Sequence, residues 1–221
     1  MKLDPAVREK YPDFLAGYLM VSGVTVEQTV EGLVERKRAV FSDLKTKFGG
    51  LPITEIPELK YYRNFFKLMG ADPSSYRPAP EYLLRRVLDD RFPAINNVVD
   101  SCLLASVEHF ISGGVYDVLK MKGEPITTLA TGEEGPFELI DGRKLPPKPG
   151  EIVLKDAQRI ISAYTIGDSK YAKITFETSG VLVVLWNAPG IPRSNVEAAI
   201  SSLSTYFKKY CGGHVDKTEI L

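Results

Sequence analysis

The chain has 221 residues, of which 44% are hydrophobic and 25% are charged, as in an ordinary globular protein with a sizeable core. Lysine plus arginine and aspartate plus glutamate each total 28, so the formal net charge is zero. A neutral chain is not typical of a protein whose main function is to hold a long nucleic-acid backbone, although a local basic patch remains compatible with it. We therefore expect no DNA partner.

The cysteine content and the hydropathy pattern indicate the compartment. The two cysteines, Cys102 and Cys211, are too few and too far apart for a disulfide framework, which fits a reducing environment. The first twelve residues carry charges throughout and do not resemble a signal peptide. No apolar run approaches the roughly 20 residues of a membrane span. We expect a cytoplasmic protein without membrane contact.

The N-terminal part predicts one strand and two helices. Residues 14–21 are apolar and favour a strand. Thr25 and Gln28 form a capping box that predicts a helix over 26–48. The basic residues of this helix either meet RNA or form a solvated face, and the second interpretation is favoured. Pro57 starts a helix over 58–69, whose aromatic residues are more typical of a core than of a base-stacking platform.

Two further helices are predicted in the middle of the chain. Pro80 suits the first turn of a helix over 80–88, in which Glu81 and Arg85 are four residues apart on an expected exposed face. The second helix begins near Asn96 or Asn97. Its expected inward stripe has helical spacing and consists of Val99, Cys102, Leu103, Ser106 and Phe110.

The C-terminal half changes to a strand period. The predicted strands cover 115–120, 126–130, 137–140, 152–154, 159–164, 171–178 and 181–186. A final helix over 194–210 has Ser194 as its cap, and a polar tail follows Gly212 and Gly213. Helices followed by a run of strands predict an α+β fold in a single domain. Within it we expect an N-terminal strand and helix extension (1–57), a core (58–213) and a tail (214–221).

The reactive side chains indicate no metal site and no cofactor. The only histidines, His109 and His214, lie far apart in the sequence and have no neighbours at zinc-ligand spacing. Cys102 lies in an apolar stripe, which indicates a packed thiol rather than a nucleophile. Ser106 and His109 are three residues apart on one helix and form a weak nucleophile–base candidate. Gly113 and Gly114 follow a helix, the reverse of the order in a phosphate-binding loop.

Polar residues at the ends of elements are the remaining candidates. Asn97 and Asp100 are interpreted either as helix caps or as the lining of a cleft, and Asp117 either as a turn cap or as part of the same site. Arg77 precedes a helix start, where the dipole does not favour a cation, so a buried carboxylate or a ligand anion is expected as its partner. Asp168 and Ser169 form either a plain turn or a part of the site.

Several blocks, in one order, resemble the B3/4 domain of the phenylalanyl-tRNA synthetase β subunit and its stand-alone, single-domain relatives. The similarity extends over roughly residues 60–210 and implies a layered sandwich of β-sheet and helices. The matching blocks are R-P-A-P-E-Y-L-L-R-R-V-L (77–88), I-N-N-V-V-D (95–100), G-G-V-Y-D (113–117), Gly132–Glu133, P-G-E-I-V-L-K-D (149–156), G-D-S (167–169) and K-I-T (173–175).

The resemblance implies a function in translation. In the synthetase, this domain hydrolyses tyrosine that is wrongly attached to the phenylalanine tRNA. It implies tRNA, aminoacyl-tRNA or a small amino-acid-like ligand as the partner, with editing in trans as one hypothesis and a non-catalytic RNA- or amino-acid-binding module as the other. Cys102 and Leu103 replace a Thr-Asn pair of the family's pocket, and Gly114 replaces a histidine, so no catalytic residue is assigned. The candidate substrate-binding residues are Arg77, Asn97, Asp100, Gly113, Gly114, Asp117, Asp168 and Ser169.

Overall fold

The structure, a computed structural model, describes residues 1–221. The chain forms six α-helices, and the apolar periodicity largely explains their positions. Pro57 and Pro80 lie in the first turns of their helices, where the missing N–H costs no hydrogen bond. The helices are α1 (Pro5–Lys10), α2 (Glu31–Phe48), α3 (Pro57–Leu68), α4 (Ala79–Leu88), α5 (Asn97–His109) and α6 (Arg193–Tyr210).

Eleven strands form three sheets. A five-stranded sheet has the order β1-β4-β7-β8-β9, a four-stranded sheet has the order β11-β2-β10-β3, and β5 and β6 form a separate pair. The strands are β1 (Lys2–Leu3), β2 (Ala16–Ser22), β3 (Ser112–Asp117), β4 (Ile126–Leu129), β5 (Phe137–Glu138), β6 (Lys144–Leu145), β7 (Ile152–Lys155), β8 (Ile160–Ala163), β9 (Gly167–Asp168), β10 (Gly180–Trp186) and β11 (His214–Ile220).

The four-stranded sheet is the middle layer of the molecule. Six consecutive residues of β10, from Val181 to Trp186, are buried, as expected for a strand that is covered on both faces. Helices α5 and α6 pack together and against this sheet on one side. On the other side the indole of Trp186 stacks on Tyr164 and donates to Thr127, which belong to the five-stranded sheet and its following loop. The predicted α+β fold in layers is confirmed.

Two helix starts differ from the prediction. The Thr25–Gln28 capping box is wrong because α2 begins only at Glu31, and the Gln28 side chain donates to the Ile95 carbonyl instead. Ser194 is not a cap, since α6 begins at Arg193 after Pro192 and has no side-chain capping bond. In both places, tertiary contacts and a proline override the local capping preference.

Two predicted segments at the C-terminal side are also wrong. Residues 171–178 form no strand; a short 3-10 turn, Lys170–Ala172, is followed by a loop that the Thr178 hydroxyl fastens to Asp117. The expected polar tail is β11, which pairs antiparallel with β2. Its side chains are mostly exposed, so its sequence lacks the apolar alternation that predicts a strand.

Glu81 corrects the expectation of an exposed ion pair on α4. The side chain is fully buried and pairs with Arg63 of α3 as well as with Arg85. The carboxylate therefore joins two helices rather than only supporting its own. Among all the helices, none combines the length and the apolar character that a membrane crossing needs.

Candidate functional site

The candidate site lies where the outermost strands of the two large sheets meet. Strand β3 is the last strand of the four-stranded sheet and β9 is the last strand of the five-stranded sheet. A hydrogen bond of 2.7 Å joins them, in which the Tyr116 hydroxyl donates to Oδ1 of Asp168. Strand β3 has no further strand on this side. Strand β9 is bridged on its outer side by the segment after β5, where Leu139 pairs with Ser169 and the Ile140 N–H donates to the Asp168 carbonyl at 3.1 Å. The unpaired backbone edge at this site is therefore that of β3.

The first cavity opens between the two sheets and has a volume of about 370 Å³. Its inner wall is apolar and aromatic: the rings of Tyr164 and Trp186 stack with 5.7 Å between their centroids, and Phe66 packs against Tyr164. Arg77 and Tyr82 lie at its rim. An aromatic wall with a few polar groups at one end is the usual composition of a small-molecule site.

The second cavity lies on the helix side of β3 and has a volume of about 290 Å³. It shares Gly113, Gly114 and Asp168 with the first cavity, so these residues form the wall between the two. The remaining lining residues come from the first half of α5 and the residues before it, from β3, from the segment after β5 and from the loop after β9, and they are Ile95, Asn96, Val99, Cys102, Leu103, Val115, Ile140, Lys173 and Ile174.

The direction of the backbone N–H groups of β3 shows which of them point to its unpaired edge. The Ser112 N–H donates to the buried Tyr62 hydroxyl at 3.0 Å, away from the neighbouring strand β10. In an antiparallel ladder, the direction of the N–H groups alternates from one residue to the next. The N–H of Gly114, two residues further along, therefore points to the same open edge, between the two cavities.

Gly114 has no side chain because the Tyr116 ring occupies that space. A Cβ at position 114 would lie 2.0 Å from the Tyr116 hydroxyl oxygen and 2.6 Å from Cζ. Tyr116 is itself buried, and its hydroxyl reaches Asp168 by passing over Gly114. The glycine at 114 and the tyrosine at 116 thus depend on one another.

The environment of Asp168 raises its pKa. Burial of the carboxyl is the main cause, and the hydrogen bond from Tyr116 and the nearby Ser162 hydroxyl act in the opposite direction. Burial and the neighbouring Asp168 charge also place the pKa of Tyr116 well above its usual value, so the phenol stays protonated as a donor. Asp168 is the candidate carboxylate of the site.

The loop that leads into β9 is held by a buried glutamate. Glu151 is fully buried, and its Oε1 accepts from both the N–H and the hydroxyl of Thr165, at 2.7 and 2.6 Å. Its Oε2 accepts from the Lys148 N–H at 3.0 Å. Hydrogen bonds to a charged acceptor are stronger than neutral ones, so Glu151 fixes this wall of the first cavity.

Four of the predicted site residues lie together at the cavities. Gly113, Gly114 and Asp168 form the shared wall, and Arg77 is exposed at the rim of the first cavity. Unlike Arg63 and Arg85, which pair with Glu81, Arg77 has no carboxylate partner in the protein. Of the two partners expected for this cation, the buried carboxylate is therefore absent.

The other four predicted residues bind within the protein. Asn97 bonds to the backbone of Thr25, Glu27 and Tyr210, while Asn96 caps α5. The remaining three carboxyl or hydroxyl groups are likewise satisfied by neighbours: Asp100 by Lys37 and the Ile95 N–H, Asp117 by Thr178, Lys120 and the Leu119 N–H, and Ser169 by the Tyr171 N–H. None of these four lines either cavity.

The structure does not support the weaker candidates for a nucleophile or a metal site. Ser106 donates to the Ile111 carbonyl and His109 bonds to Ser202, so the two do not interact. Burial raises the pKa of the Cys102 thiol, and the charge of Asp168 acts in the same direction, which keeps it protonated. No group of three or more metal-binding side chains comes together.

Sequence reasoning missed the aromatic wall and the tyrosine of the site. Tyr116 lay inside the quoted G-G-V-Y-D block, but nothing in the local pattern indicates that its hydroxyl reaches Asp168, 52 residues away. Tyr164 and Trp186 end two predicted strands and read as core residues. One signal was available in the sequence: Gly114 and Tyr116 are two residues apart and therefore lie on the same face of a strand, where the tyrosine ring can cover the glycine.

The architecture and the site define a layered α+β domain with a cavity pair at the meeting sheet edges. The family profile of the B3/4 domain matches residues 61–212, and the chain belongs to this family. The resemblance seen in the sequence blocks is thereby confirmed. A comparison with curated protein sequences finds no match.

One similar solved structure is the crystal structure of an N-terminal fragment of the phenylalanyl-tRNA synthetase β subunit from Pyrococcus horikoshii. The sequence identity is 12% and the TM-score is 0.52. The match covers 99% of this chain and 53% of the fragment, so the chain spans about half the length of that relative. At this identity, the likeness establishes the fold and no activity.

Proposed function

We propose that the cavity pair binds the aminoacyl end of a charged tRNA and that a wrongly attached amino acid is released there by hydrolysis of its ester. One observation carries the proposal: two cavities of about 370 and 290 Å³ share a wall that presents the Gly114 N–H and the Asp168 carboxylate. The aromatic first cavity suits an amino-acid side chain, and the second suits the terminal nucleoside.

The chemistry assigned to this wall is ester hydrolysis by water. Attack of water on the ester carbonyl places negative charge on its oxygen, and the N–H of Gly114 is directed to donate to that oxygen. The bond between the carbonyl carbon and the ribose oxygen then breaks, and a proton of the attacking water passes to that oxygen, which gives a free amino acid and a tRNA 3′ end with its hydroxyl restored. No side-chain nucleophile is needed for this sequence of steps.

Arg77 is assigned to the nucleic-acid part of the substrate. It is an exposed guanidinium without a protein partner at the rim of the first cavity, and a guanidinium matches the geometry of a phosphate. Loss of one phosphate contact reduces the slope of the logarithm of affinity against the logarithm of salt concentration by about 1. The neutral chain thus needs only this local cation rather than a wholly basic face.

The experiment is incubation of the protein with phenylalanine tRNA charged with tyrosine and with a panel of other mischarged tRNAs. We expect faster release of amino acid than without protein for at least one member. Arg77→Ala is expected to weaken tRNA binding about tenfold and to reduce its salt dependence. Arg8→Ala, an exposed arginine on α1, is the matched control and is expected to change neither. No release across the panel refutes the hydrolytic part.

A non-catalytic binding module is the second candidate. The observation that favours it is that neither histidine lies at the cavities and that Cys102, Leu103 and Gly114 stand at positions with polar side chains in the related pocket. Calorimetry with free amino acids and with uncharged and amide-linked charged tRNA separates the two candidates. Binding without release selects the module, and the absence of heat with every ligand excludes both.

A further inference from the structure

The Asp168 carboxylate has one oxygen that the protein leaves free. Oδ1 accepts from Tyr116, and no lysine or arginine forms an ion pair with this carboxylate. No hydrogen bond of 3.5 Å or less reaches Oδ2, since the nearby Ser162 hydroxyl donates to the Gly167 carbonyl, yet no buried polar side-chain atom of the protein is left unpaired. Oδ2 is therefore accessible from the cavities, and Tyr116 fixes the direction in which it points.

A carboxylate in this position calls for a cation from outside the protein. A charge removed from bulk water without a counter-ion is unfavourable, and its pKa rises, as it does here through burial. The two cations that line the cavities, Arg77 and Lys173, are both exposed and do not pair with Asp168. A bound ligand cation at Oδ2 offsets the unfavourable burial.

The place of Asp168 indicates which cation of the substrate reaches it. Asp168 lines both cavities and thus stands at their boundary. In an aminoacyl ester, the α-carbon joins the side chain, the ester group and the ammonium group. If the side chain lies in one cavity and the ribose in the other, the α-carbon lies at the boundary, and its ammonium group is the nearest cation to Oδ2.

We propose that Oδ2 of Asp168 binds the α-ammonium group of the aminoacyl ester, so that the site accepts esters with a free amino group and rejects N-acylated ones. Tyr116 is a positioning residue that holds the carboxylate. An N-acyl group removes the charge and adds bulk at the wall between the cavities. This inference rests on the proposed function and specifies its substrate class as aminoacyl, rather than peptidyl, esters.

The experiment compares two ligands that differ only at the amino group. Amide-linked tyrosyl-tRNA, which is not hydrolysed, and its N-acetylated form are titrated against the protein. The same pair of ligands is then tested for each of the other amino acids. We expect the N-acetylated form to bind about 10- to 100-fold more weakly, the range for a hydrogen bond to a charged group. In Asp168→Asn, we expect the two forms to bind within about threefold of each other.

The outcomes separate this inference from the proposed function. Equal binding of both forms by the unaltered protein overturns the inference and leaves the proposed function in place. No binding of either form, for any amino acid, overturns both. Preserved discrimination in Asp168→Asn, in a variant whose thermal unfolding shows it to be folded, overturns the assignment to Asp168.

Tyr116→Phe tests the positioning role. It keeps the ring in place and removes only the donor to Oδ1, so we expect the ratio of the two affinities to fall to between that of the unaltered protein and that of Asp168→Asn. A purely structural role of Tyr116 would lower both affinities together and leave the ratio unchanged. An unchanged ratio would therefore overturn the role of Tyr116 in recognition of the ammonium group.

Discussion

Adding a single methyl group at Gly114 is expected to destabilise the protein by about 3 kcal/mol. The new Cβ would lie 2.0 Å from the Tyr116 hydroxyl oxygen, so the buried ring has to move and its bond to Asp168 breaks. Loss of a hydrogen bond to a charged group costs about 1.5–3 kcal/mol, and overpacking of a core costs about 1–3 kcal/mol. A lower entropy of the unfolded chain returns about 0.4–1 kcal/mol.

The matched control is Gly113→Ala on the same strand. There the new Cβ would meet Leu185 Cδ2 at 3.1 Å and Cys102 Sγ at 3.3 Å, contacts that small side-chain shifts can relieve. We expect this variant to lose at most about 1 kcal/mol. Urea unfolding at pH 7 gives the free energy of unfolding of both variants and of the unaltered protein, provided that the slopes agree.

A second background isolates the cause. Tyr116→Leu removes the hydroxyl and Cζ that the new methyl group would strike, so Gly114→Ala is expected to cost about 1 kcal/mol or less in that background. The reasoning is refuted if Gly114→Ala is no more destabilising than Gly113→Ala. It is equally refuted if the cost of about 3 kcal/mol persists after the tyrosine has been removed.

Three further predictions concern the support of the site. Glu81→Ala should lower the free energy of unfolding by about 3 kcal/mol in urea, because it removes a fully buried carboxylate that pairs with two arginines. The control is Glu197→Ala, which removes an exposed ion pair and should cost under about 0.5 kcal/mol in the same experiment. Equal losses in the two variants would contradict the role of burial. Tyr62→Phe should cost about 2 kcal/mol, since it leaves the Ser112 N–H and the Trp186 carbonyl without their partner, and thermal unfolding unchanged from the native protein would count against this. The pKa of Asp156 is lowered, because hydrogen bonds from three backbone N–H groups outweigh the opposite effect of burial. The stability that this carboxylate contributes is therefore present above its unfolded pKa of about 4 and is lost as the pH falls through its lower folded pKa. Asp156→Ala should therefore lose stability at pH 7 and show a shallower decline below about pH 4 in acid unfolding, whereas an unchanged acid limb would disprove the linkage.

Most helices and strands could be predicted because their apolar residues repeat with the period of one face. Helix α3 and strand β10 agree with their predicted bounds within one or two residues, since both are strongly apolar on the buried side. Strand β11 could not be predicted, because its polar side chains are exposed and only the hydrogen bonds to β2 make it a strand. The same holds for the start of α2, where contacts with Asn97 and Ile95 hold residues 27 and 28 outside the helix.

The polar candidates divide in the same way. A polar residue at the end of an element has the same local pattern whether it closes the fold or faces a ligand. Asn97 and Asp117 satisfy backbone and side-chain groups that are far away in the sequence, whereas Asp168 keeps one oxygen free. The difference depends on which partners arrive from other elements, and the order of residues along one strand or helix contains no information about that.

The sequence by itself determined most of the element types, the buried sides of the strongly apolar elements such as α3 and β10, and the family blocks, because these depend on residue type and on spacing within single elements. Only the tertiary structure decided that β3 and β9 end their sheets side by side, with Tyr116 over Gly114 and against Asp168. The position of an open edge depends on the pairing of strands far apart in the chain. A cavity between the edges of two sheets is therefore a property of the packing of the layers and of no one segment.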